Sequence, residues 1–537
     1  PGRPMVLSGF AGTLWQRYLR FGDPGELDEA ITLLREAVAA TTEPMGHGIR
    51  LLTLASALRA RYVRSPDLST LNDAIAASRE ATEVLPASHY QRTRALANRV
   101  AVLHEHYQRT GHLASLTEAI ETGERAVDAT PDGHPSLGYR LSNLGMALSA
   151  RYDRTREPAD LEAALEADRR AVDVTPAGHP ERGRMLANLS AVLNKHYLLT
   201  EDQDSVESAV RAAREAVNAT PDGHPSKPIR LIALAVTLAE LSELTGKRPL
   251  MIEAVRVAKM AAGSTTATPF TQLRAARVWG WLAGMTGQWE TATAAFGQGV
   301  RLLPLVAPRN LRRPDLEHQL VNVDRIASNA AASAVWAGDA AGALETLEQG
   351  RGVLLSYALD SRSELTDLRV AAPELAAEWE TLGEELDTAT AWSEEMPSEE
   401  AVPVADPDHR HGLARRWQSL ASRIRATAGF ERFLEPPVLA DLLPAAGSGA
   451  VVTVNVSDLR CDALVLTADQ VRVVPLPDLR TEELDTRVHT FLEALDLVDM
   501  GDLTESQEAQ AAVRQTLGWL WDVVAEPVLD ELGHTAT

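Results

Sequence analysis

A six-residue stretch returns along this chain at a fixed interval of 45 residues. It reads Thr-Pro-Asp-Gly-His-Pro at 130–135 and 220–225, and Thr-Pro-Ala-Gly-His-Pro at 175–180, with a weaker copy at 85–90. The residue before a proline favours an extended backbone and glycine supplies a turn, so each copy predicts a loop between two helices. A fixed period of this length is typical of a solenoid, in which similar units stack in a row.

The segments between these loops keep the same period. In each unit a first helix carries leucines and a tyrosine spaced by three or four positions, as on one helical face. Two of these faces are Leu141, Leu144, Leu148 and Tyr152, and Leu186, Leu189, Leu193 and Tyr197. A second helix follows in each unit. One such pair cannot bury its own apolar face whereas stacked pairs can, so the sequence predicts a mainly α fold, a solenoid of helical hairpins.

The residues at certain positions of these units resemble those of a known repeat. The stretch Asn-Leu-Gly at 143–145 resembles the first helix of a tetratricopeptide repeat, although the units here are longer than the usual length of about 34 residues. A shorter pair at 268–304 is more similar to that repeat, through Trp-Gly at 279–280 and Gly-Gln-Trp at 287–289. The resemblance covers about 8–360. It implies a concave face, lined by first helices, that binds a protein or peptide.

Beyond residue 449 the pattern changes from helical spacing to short β-branched runs. The runs 450–456, 463–467 and 470–474 predict three strands of a meander. Two helices are predicted to follow, over about 480–496 and 506–532.

Four stretches resemble bacterial repeat proteins that end in a CHAT domain. Leu-Glu-Gln-Gly-Arg-Gly-Val-Leu-Leu at 347–355 resembles their last repeat, and Asn-Val-Ser at 455–457, Arg-Cys-Asp-Ala-Leu at 460–464 and Val-Val-Pro-Leu-Pro at 473–477 resemble the opening of the domain. CHAT domains are similar to caspases, so the resemblance implies a partial α/β domain from a family that cleaves peptide bonds with a His–Cys pair. In that family the pair lies further along than residue 537, so no catalytic residue carries over. This chain alone is expected to be inactive, and a longer parent is expected to be a caspase-like cysteine endopeptidase in bacterial defence signalling.

The sequence divides into four regions. We expect extended repeats over 1–262, shorter repeats over 263–365, a helical linker over 366–432 and the N-terminal part of a CHAT domain over 433–537. Within the linker, glutamates and prolines gather at 384–410 and predict an exposed, mobile segment.

Charge and composition disfavour several functions. The chain has 52 lysines and arginines against 75 aspartates and glutamates, a net charge of −23, whereas a basic patch is the usual footprint of nucleic-acid binding. No apolar run reaches about 18 residues, so no membrane span is predicted. The single cysteine, Cys461, allows no disulfide within the chain, which fits a cytoplasmic protein, and a packing role is expected for it.

Histidines recur in the repeated loops, at His89, His134, His179 and His224. One zinc ion needs nitrogen ligands within about 2.1 Å, whereas neighbouring helices lie about 8–10 Å apart. Equivalent histidines of stacked units therefore cannot share a metal ion, and a loop or capping role is expected. The sequence contains no Gly-rich loop of the kind that binds the phosphates of a cofactor, so no cofactor is expected.

A ladder of polar residues follows three consecutive first helices. Asparagines recur at one position off the leucine stripe, larger polar residues lie one turn earlier, and a lysine lies two turns later. We call these seven residues the asparagine face: Arg94, Asn98, Tyr139, Asn143, Arg184, Asn188 and Lys195. In tetratricopeptide repeats the corresponding face lines the concave groove, so the resemblance implies that it binds the backbone or a carboxylate of a peptide. In the structural alternative, the asparagines bond neighbouring helices and tie the solenoid together.

Three functional hypotheses follow. In the first, the chain is the sensor and scaffold region of a caspase-like peptidase: the solenoid binds a protein or peptide partner and regulates the CHAT domain. In the second, it is a protein-interaction scaffold without any enzyme. In the third, it self-associates as a homo-oligomer through the solenoid or through the exposed edge of the strands at 450–474.

Overall fold

The structure is a computed structural model with two compact units. It describes residues 2–21, 23–87, 89–306, 325–359, 365–390, 407–435, 437–500 and 503–533. Within these residues the first unit contains 2–268 and 377–420, and the second contains 269–306, 325–376 and 421–533.

Residues 2–262 of the first unit form a row of helical hairpins. The pairs are α1 (Gly2–Phe21) with α2 (Pro24–Ala39), α3 (Pro44–Arg64) with α4 (Leu68–Val84), α5 (Tyr90–Thr110) with α6 (Leu113–Asp128), α7 (Leu137–Thr155) with α8 (Pro158–Asp173), α9 (Arg182–Thr200) with α10 (Gln203–Asn218), and α11 (Lys227–Thr245) with α12 (Arg248–Ala262). The predicted solenoid of helical hairpins is confirmed. Its core is made by the predicted leucine stripes; Leu141, Leu148 and Leu193, for example, are each less than a tenth exposed.

The first helices lie closer together than the second helices do. Consecutive first helices pack side by side from α3 to α11, whereas consecutive second helices of the described repeats make less contact with each other. This difference in spacing places the first helices on the inner side of the row. Arginine–carboxylate pairs bridge the wider outer gaps: Arg35 to Asp73 at 2.6 Å, Arg79 to Glu118 at 3.4 Å and Arg214 to Glu253 at 2.7 Å.

The repeated loop closes each hairpin onto the next. Thr130 Oγ1 donates to a backbone carbonyl one turn earlier at 2.6 Å, and Gly133 has a φ of +79°, which favours glycine. His134 Nδ1 accepts the backbone N–H of Ser136 at 3.1 Å, just before α7 begins. The same contact is made by His89, His179 and His224. The loop role predicted for these histidines is confirmed.

The second unit joins shorter helical pairs to a small sheet. The pairs are α13 (Pro269–Met285) with α14 (Trp289–Val306), and α15 (Ile326–Trp336) with α16 (Ala340–Leu359). Strands β1 (Val451–Asn455), β2 (Asp462–Leu466) and β3 (Val471–Pro475) form an antiparallel sheet in that order. Val465 lies opposite Val452 on one side and Arg472 on the other. The predicted three-stranded meander is confirmed.

Strand β2 is buried on both faces. Its Leu464 and Leu466 belong to the same apolar cluster as Leu344 and Leu347 of α16. Its Ala463 and Val465 pack in a second cluster on the opposite face of the sheet. Burial on both faces explains why this strand is a continuous apolar run instead of an alternating one.

The remaining elements are short or lie near the ends of the described segments. They are α17 (Leu365–Ala371), α18 (Pro373–Thr390), α19 (Pro407–Arg425), α20 (Leu439–Leu442), α21 (Thr481–Met500), α22 (Leu503–Leu520) and α23 (Glu526–Glu531), with a 3₁₀ turn at Leu443–Ala446 and a π turn at Trp521–Ala525. Of the segment predicted to be mobile at 384–410, both ends are helical, and residues 391–406 lie outside the described residues. Among the described helices, none combines the length and the apolar character needed to cross a membrane.

Candidate functional site

The three asparagines of the asparagine face each reach back to the preceding first helix. Nδ2 of Asn98 donates to Ser56 Oγ at 3.1 Å, and Nδ2 of Asn188 donates to Ser142 Oγ at 2.9 Å. Nδ2 of Asn143 donates to a backbone carbonyl of α5 at 3.1 Å. These amide groups hold neighbouring repeats together, which is the role described by the structural alternative.

Arg184 is held at the centre of the asparagine face by three groups. Its guanidinium lies 4.5 Å from the centre of the Tyr139 ring, its Nη1 donates to Asn143 Oδ1 at 3.1 Å, and its Nε donates to Glu181 at 3.0 Å. Asn143 is 2% exposed, so both ends of its amide are used inside the protein. In this structure the cation is therefore positioned by contacts inside the protein, without any partner.

Lys195 and Arg94 present two different cations. Lys195 Nζ donates to Ser149 Oγ and to Asp153 Oδ2, both at 2.7 Å, and so joins α9 to α7. Arg94 is exposed, and its Nη1 donates to Gln91 on its own helix at 3.3 Å. Lys195 therefore has its charge neutralised, whereas Arg94 remains accessible to a ligand.

Sequence reasoning missed Arg59 and His104; the charges of Arg59 and of Lys195 both act on His104. Arg59 Nε donates to Glu105 Oε1 at 2.8 Å between α3 and α5, and His104 is 7% exposed with Gln108 at 2.9 Å. Burial, reinforced by the charges of Arg59 and Lys195, lowers the pKa of His104 to about 4. Burial also raises the pKa of Glu105, against the opposing charge of Arg59. The Arg59–Glu105 pair could have been found from its spacing, one repeat plus one residue.

Open surface lies beside these fixed groups. Ala191 is exposed on α9 between Asn188 and Lys195, which share its helical face. On α11, Ile229 and Val236 lie one repeat beyond Arg184 and Ala191, and they are 47% and 37% exposed. The first helices therefore offer both polar groups and accessible apolar side chains on one side of the row.

The second unit contains a cavity of about 540 Å³, whose lining includes Trp336, Arg460, Cys461 and Arg480. The guanidinium of Arg460 lies 4.5 Å from the Trp336 ring and forms a bidentate pair with the buried Asp462 at 2.6 Å. Burial raises the pKa of the Cys461 thiol, so the nucleophilic thiolate is disfavoured. Among the described residues, no group of histidine, cysteine and carboxylate side chains is arranged to hold a metal ion.

Comparisons with known proteins add little beyond the fold. No protein-family model and no curated protein matches the chain. The chain is similar to the nearly identical TPR-like repeats of a putative kinesin light chain from Podosopora anserina, with 18% identity and a TM-score of 0.30 over 41% of this chain and 99% of that one. It is also similar to a human IFIT1 dimer with PPP-AAAA, with 13% identity and a TM-score of 0.38 over 61% of this chain and 69% of that one.

A third similar structure is yeast Tom70, with 14% identity and a TM-score of 0.21 over 79% of this chain and 97% of that one. Likenesses this distant carry no argument about function. The tetratricopeptide-like repeat fold is instead evident in the chain's own helical pairs and their 45-residue period.

Proposed function

We propose that this chain is a protein-interaction scaffold whose asparagine face binds an extended segment of a partner protein. The observation that carries the proposal is a row of polar groups on α5, α7 and α9, already fixed by contacts inside the protein and lying beside accessible surface at Ala191. Fixed groups lose little conformational entropy when a ligand binds, which favours recognition of a flexible chain.

Each part of this surface has a role in binding. Arg94 donates to a backbone carbonyl or a carboxylate, and Oδ1 of Asn188, which has no hydrogen-bond partner among the described residues, accepts a backbone N–H. Asn143 contributes through Arg184, which it holds in position. Ile229 and Val236 receive an apolar side chain of the partner.

The test is a peptide selection followed by a matched pair of variants. Peptides selected from a random displayed library on the purified chain are measured by fluorescence anisotropy. Ala191→Trp places an indole on the accessible surface of α9 and should weaken binding by at least about tenfold, since hot-spot contacts are lost. Ala163→Trp adds the same bulk to an exposed position of α8, a second helix, and should leave binding unchanged.

Two outcomes contradict the proposal: failure of the library to yield any binding peptide, and equal affinities of the Ala191→Trp variant and the unaltered chain. Thermal melting of both variants checks that the solenoid stays folded.

A second candidate function is regulation of a caspase-like CHAT domain. It rests on the sequence resemblance of 433–537, and one observation favours it: the last helical pair and the sheet share buried polar contacts. Asn455 Nδ2 donates to the carbonyl of Ser328 at 3.0 Å, and Ser457 Oγ donates to Asn329 Oδ1 at 2.7 Å. Such contacts join the last repeat to the residues of the sheet and its first loop. Peptidase activity that is found in a longer natural form and not in this chain would support this candidate. If neither form shows activity, the scaffold is the proposed function that remains.

A further inference from the structure

Asp168 is an aspartate buried in the middle of a helical hairpin. It lies on α8 with 0% of its surface exposed. The same position in the neighbouring repeats holds Ser78, Gly123 and Ala213. A carboxylate in such a place costs free energy unless it is paired, so the aspartate requires an explanation.

The hairpin has room for this carboxyl because of a glycine on the facing helix. A Cβ at Gly145 of α7 would lie 2.8 Å from Asp168 Oδ1. The equivalent first-helix residues of neighbouring repeats are Ala55, Val100 and Ser190. Gly145 and Asp168 are therefore a matched small–large pair, and the aspartate fits its site without displacing the helices.

Asp168, which is buried, and Arg184, whose side chain is 27% exposed, both have unused hydrogen-bonding capacity. Neither carboxyl oxygen of Asp168 has a hydrogen-bond partner among the described residues, and the same is true of Nη2 of Arg184. Burial raises the pKa of Asp168 well above its usual range, and Arg184 is the charge that opposes this rise. A buried carboxyl without a hydrogen-bond donor is costly, and Nη2 of Arg184 is a donor without an acceptor, so the two groups complement each other and suggest a second arrangement.

We propose that Asp168 is an internal counter-ion for Arg184 and that its ionisation moves the guanidinium off the asparagine face. While Asp168 carries its proton, Arg184 stays over Tyr139 and donates to Asn143. When Asp168 releases that proton to solvent, its carboxylate accepts the Arg184 Nη2–H, and the bond to Asn143 breaks. A single proton is exchanged, and no other reactant takes part.

Other charged groups near Asp168 and Arg184 interact mainly with the Arg184 guanidinium. Among the helices packed against α8, the charged group that lowers the pKa of Asp168, against the effect of burial, is Arg184 of α9. Arg184 forms an ion pair with Glu181, the residue just before α9, and lies near the like charge of Arg230 on α11. Asp168 competes with Glu181 for the guanidinium, and ionisation of Asp168 decides the competition.

The consequence for binding rests on the proposed function. Since Arg184 belongs to the surface proposed to receive the partner, its withdrawal should weaken binding as pH rises. The switch itself can be tested without any ligand, so that its failure is distinct from a failure of the proposed function.

The test is a double-mutant cycle in Asp168→Asn and Arg184→Gln, measured by urea denaturation from about pH 5 to about pH 10. The asparagine copies the shape of the protonated carboxyl. The two sites should show no coupling at the acid end and a coupling of about tenfold in the folding equilibrium constant at the alkaline end. Coupling that is absent throughout, or equal at every pH, overturns the proposal.

A control and a second readout complete the experiment. Asp173→Asn removes an exposed aspartate from the same helix and should leave the pH profile of stability unchanged. The ¹⁵N resonance of the Arg184 side chain should shift with pH in the unaltered chain and in Asp173→Asn, but not in Asp168→Asn. A shift that persists in Asp168→Asn also overturns the proposal. Selected peptides should lose affinity with pH only where Asp168 is present.

Discussion

His134 illustrates how one side chain of the repeated loop stabilises the start of the next helix. Its Nδ1 accepts the Ser136 N–H at 3.1 Å. We expect His134→Ala to lower the free energy of unfolding by about 0.5–1 kcal/mol, because that N–H loses its acceptor. His134→Asn should retain most of the stability, since an asparagine oxygen makes the same turn contact. Urea denaturation at neutral pH compares the three chains, and equal stability of all three would exclude the capping role.

Protonation of His104 makes the free energy of unfolding depend on pH. Its pKa is about 4 in the folded chain against an ordinary 6.5, so folding favours the neutral ring. The stabilisation is fully present above about pH 6.5 and is lost as pH falls towards 4. Between about pH 7 and about pH 4.5, the unaltered chain should lose about 2–3 kcal/mol more of its unfolding free energy than His104→Gln. Parallel pH profiles of the two chains would mean that His104 does not titrate in this way.

Asp168 shows the limit of sequence reasoning at the residue scale. Its neighbours in the sequence include the exposed Glu166 and Arg169, and an aspartate between charged residues usually indicates a solvated helix face. Its burial depends on the missing side chain of Gly145 on another helix, which no spacing along α8 could reveal.

At the scale of elements, the first helix of a repeat approaches the second helix closely through a glycine. A Cβ at Gly138 would lie 2.9 Å from the carbonyl oxygen of Ala171, and one at Gly183, a repeat later, would lie 2.9 Å from that of Ala216. Gly138→Ala should therefore lower the free energy of unfolding by about 1–3 kcal/mol through overpacking. Gly178→Ala is the control, because open space surrounds that loop position. Equal effects of the two substitutions in thermal melting would contradict this packing.

Most elements could be predicted because their periods are strong. The leucine stripes gave the helical pairs, and the β-branched runs gave strands that match β1, β2 and β3 closely. The asparagine face could be placed on the first helices by its 45-residue register. Its contacts could not, because whether Asn98 meets Ser56 or a ligand depends on the distance between neighbouring helices, which the sequence does not state.

At the scale of the whole molecule, net charge and local chemistry act in different directions. A charge of −23 repels acidic proteins at long range, whereas Arg94 offers a cation at contact distance. Peptides selected on the chain are therefore expected to be neutral or basic overall while presenting acceptor groups to the asparagine face. Sequencing the selected pool tests this, and a predominance of strongly acidic peptides would contradict it.

The central claim is that partners bind along the first helices of the solenoid. The most direct measurement places a photo-crosslinking amino acid at position 191 on α9 or at position 163 on α8, and maps the covalent adduct with a selected peptide by mass spectrometry. Our account predicts efficient crosslinking from position 191 and little from position 163, since only the former adjoins the asparagine face. Crosslinking from position 163 alone, or equally from both, would contradict it.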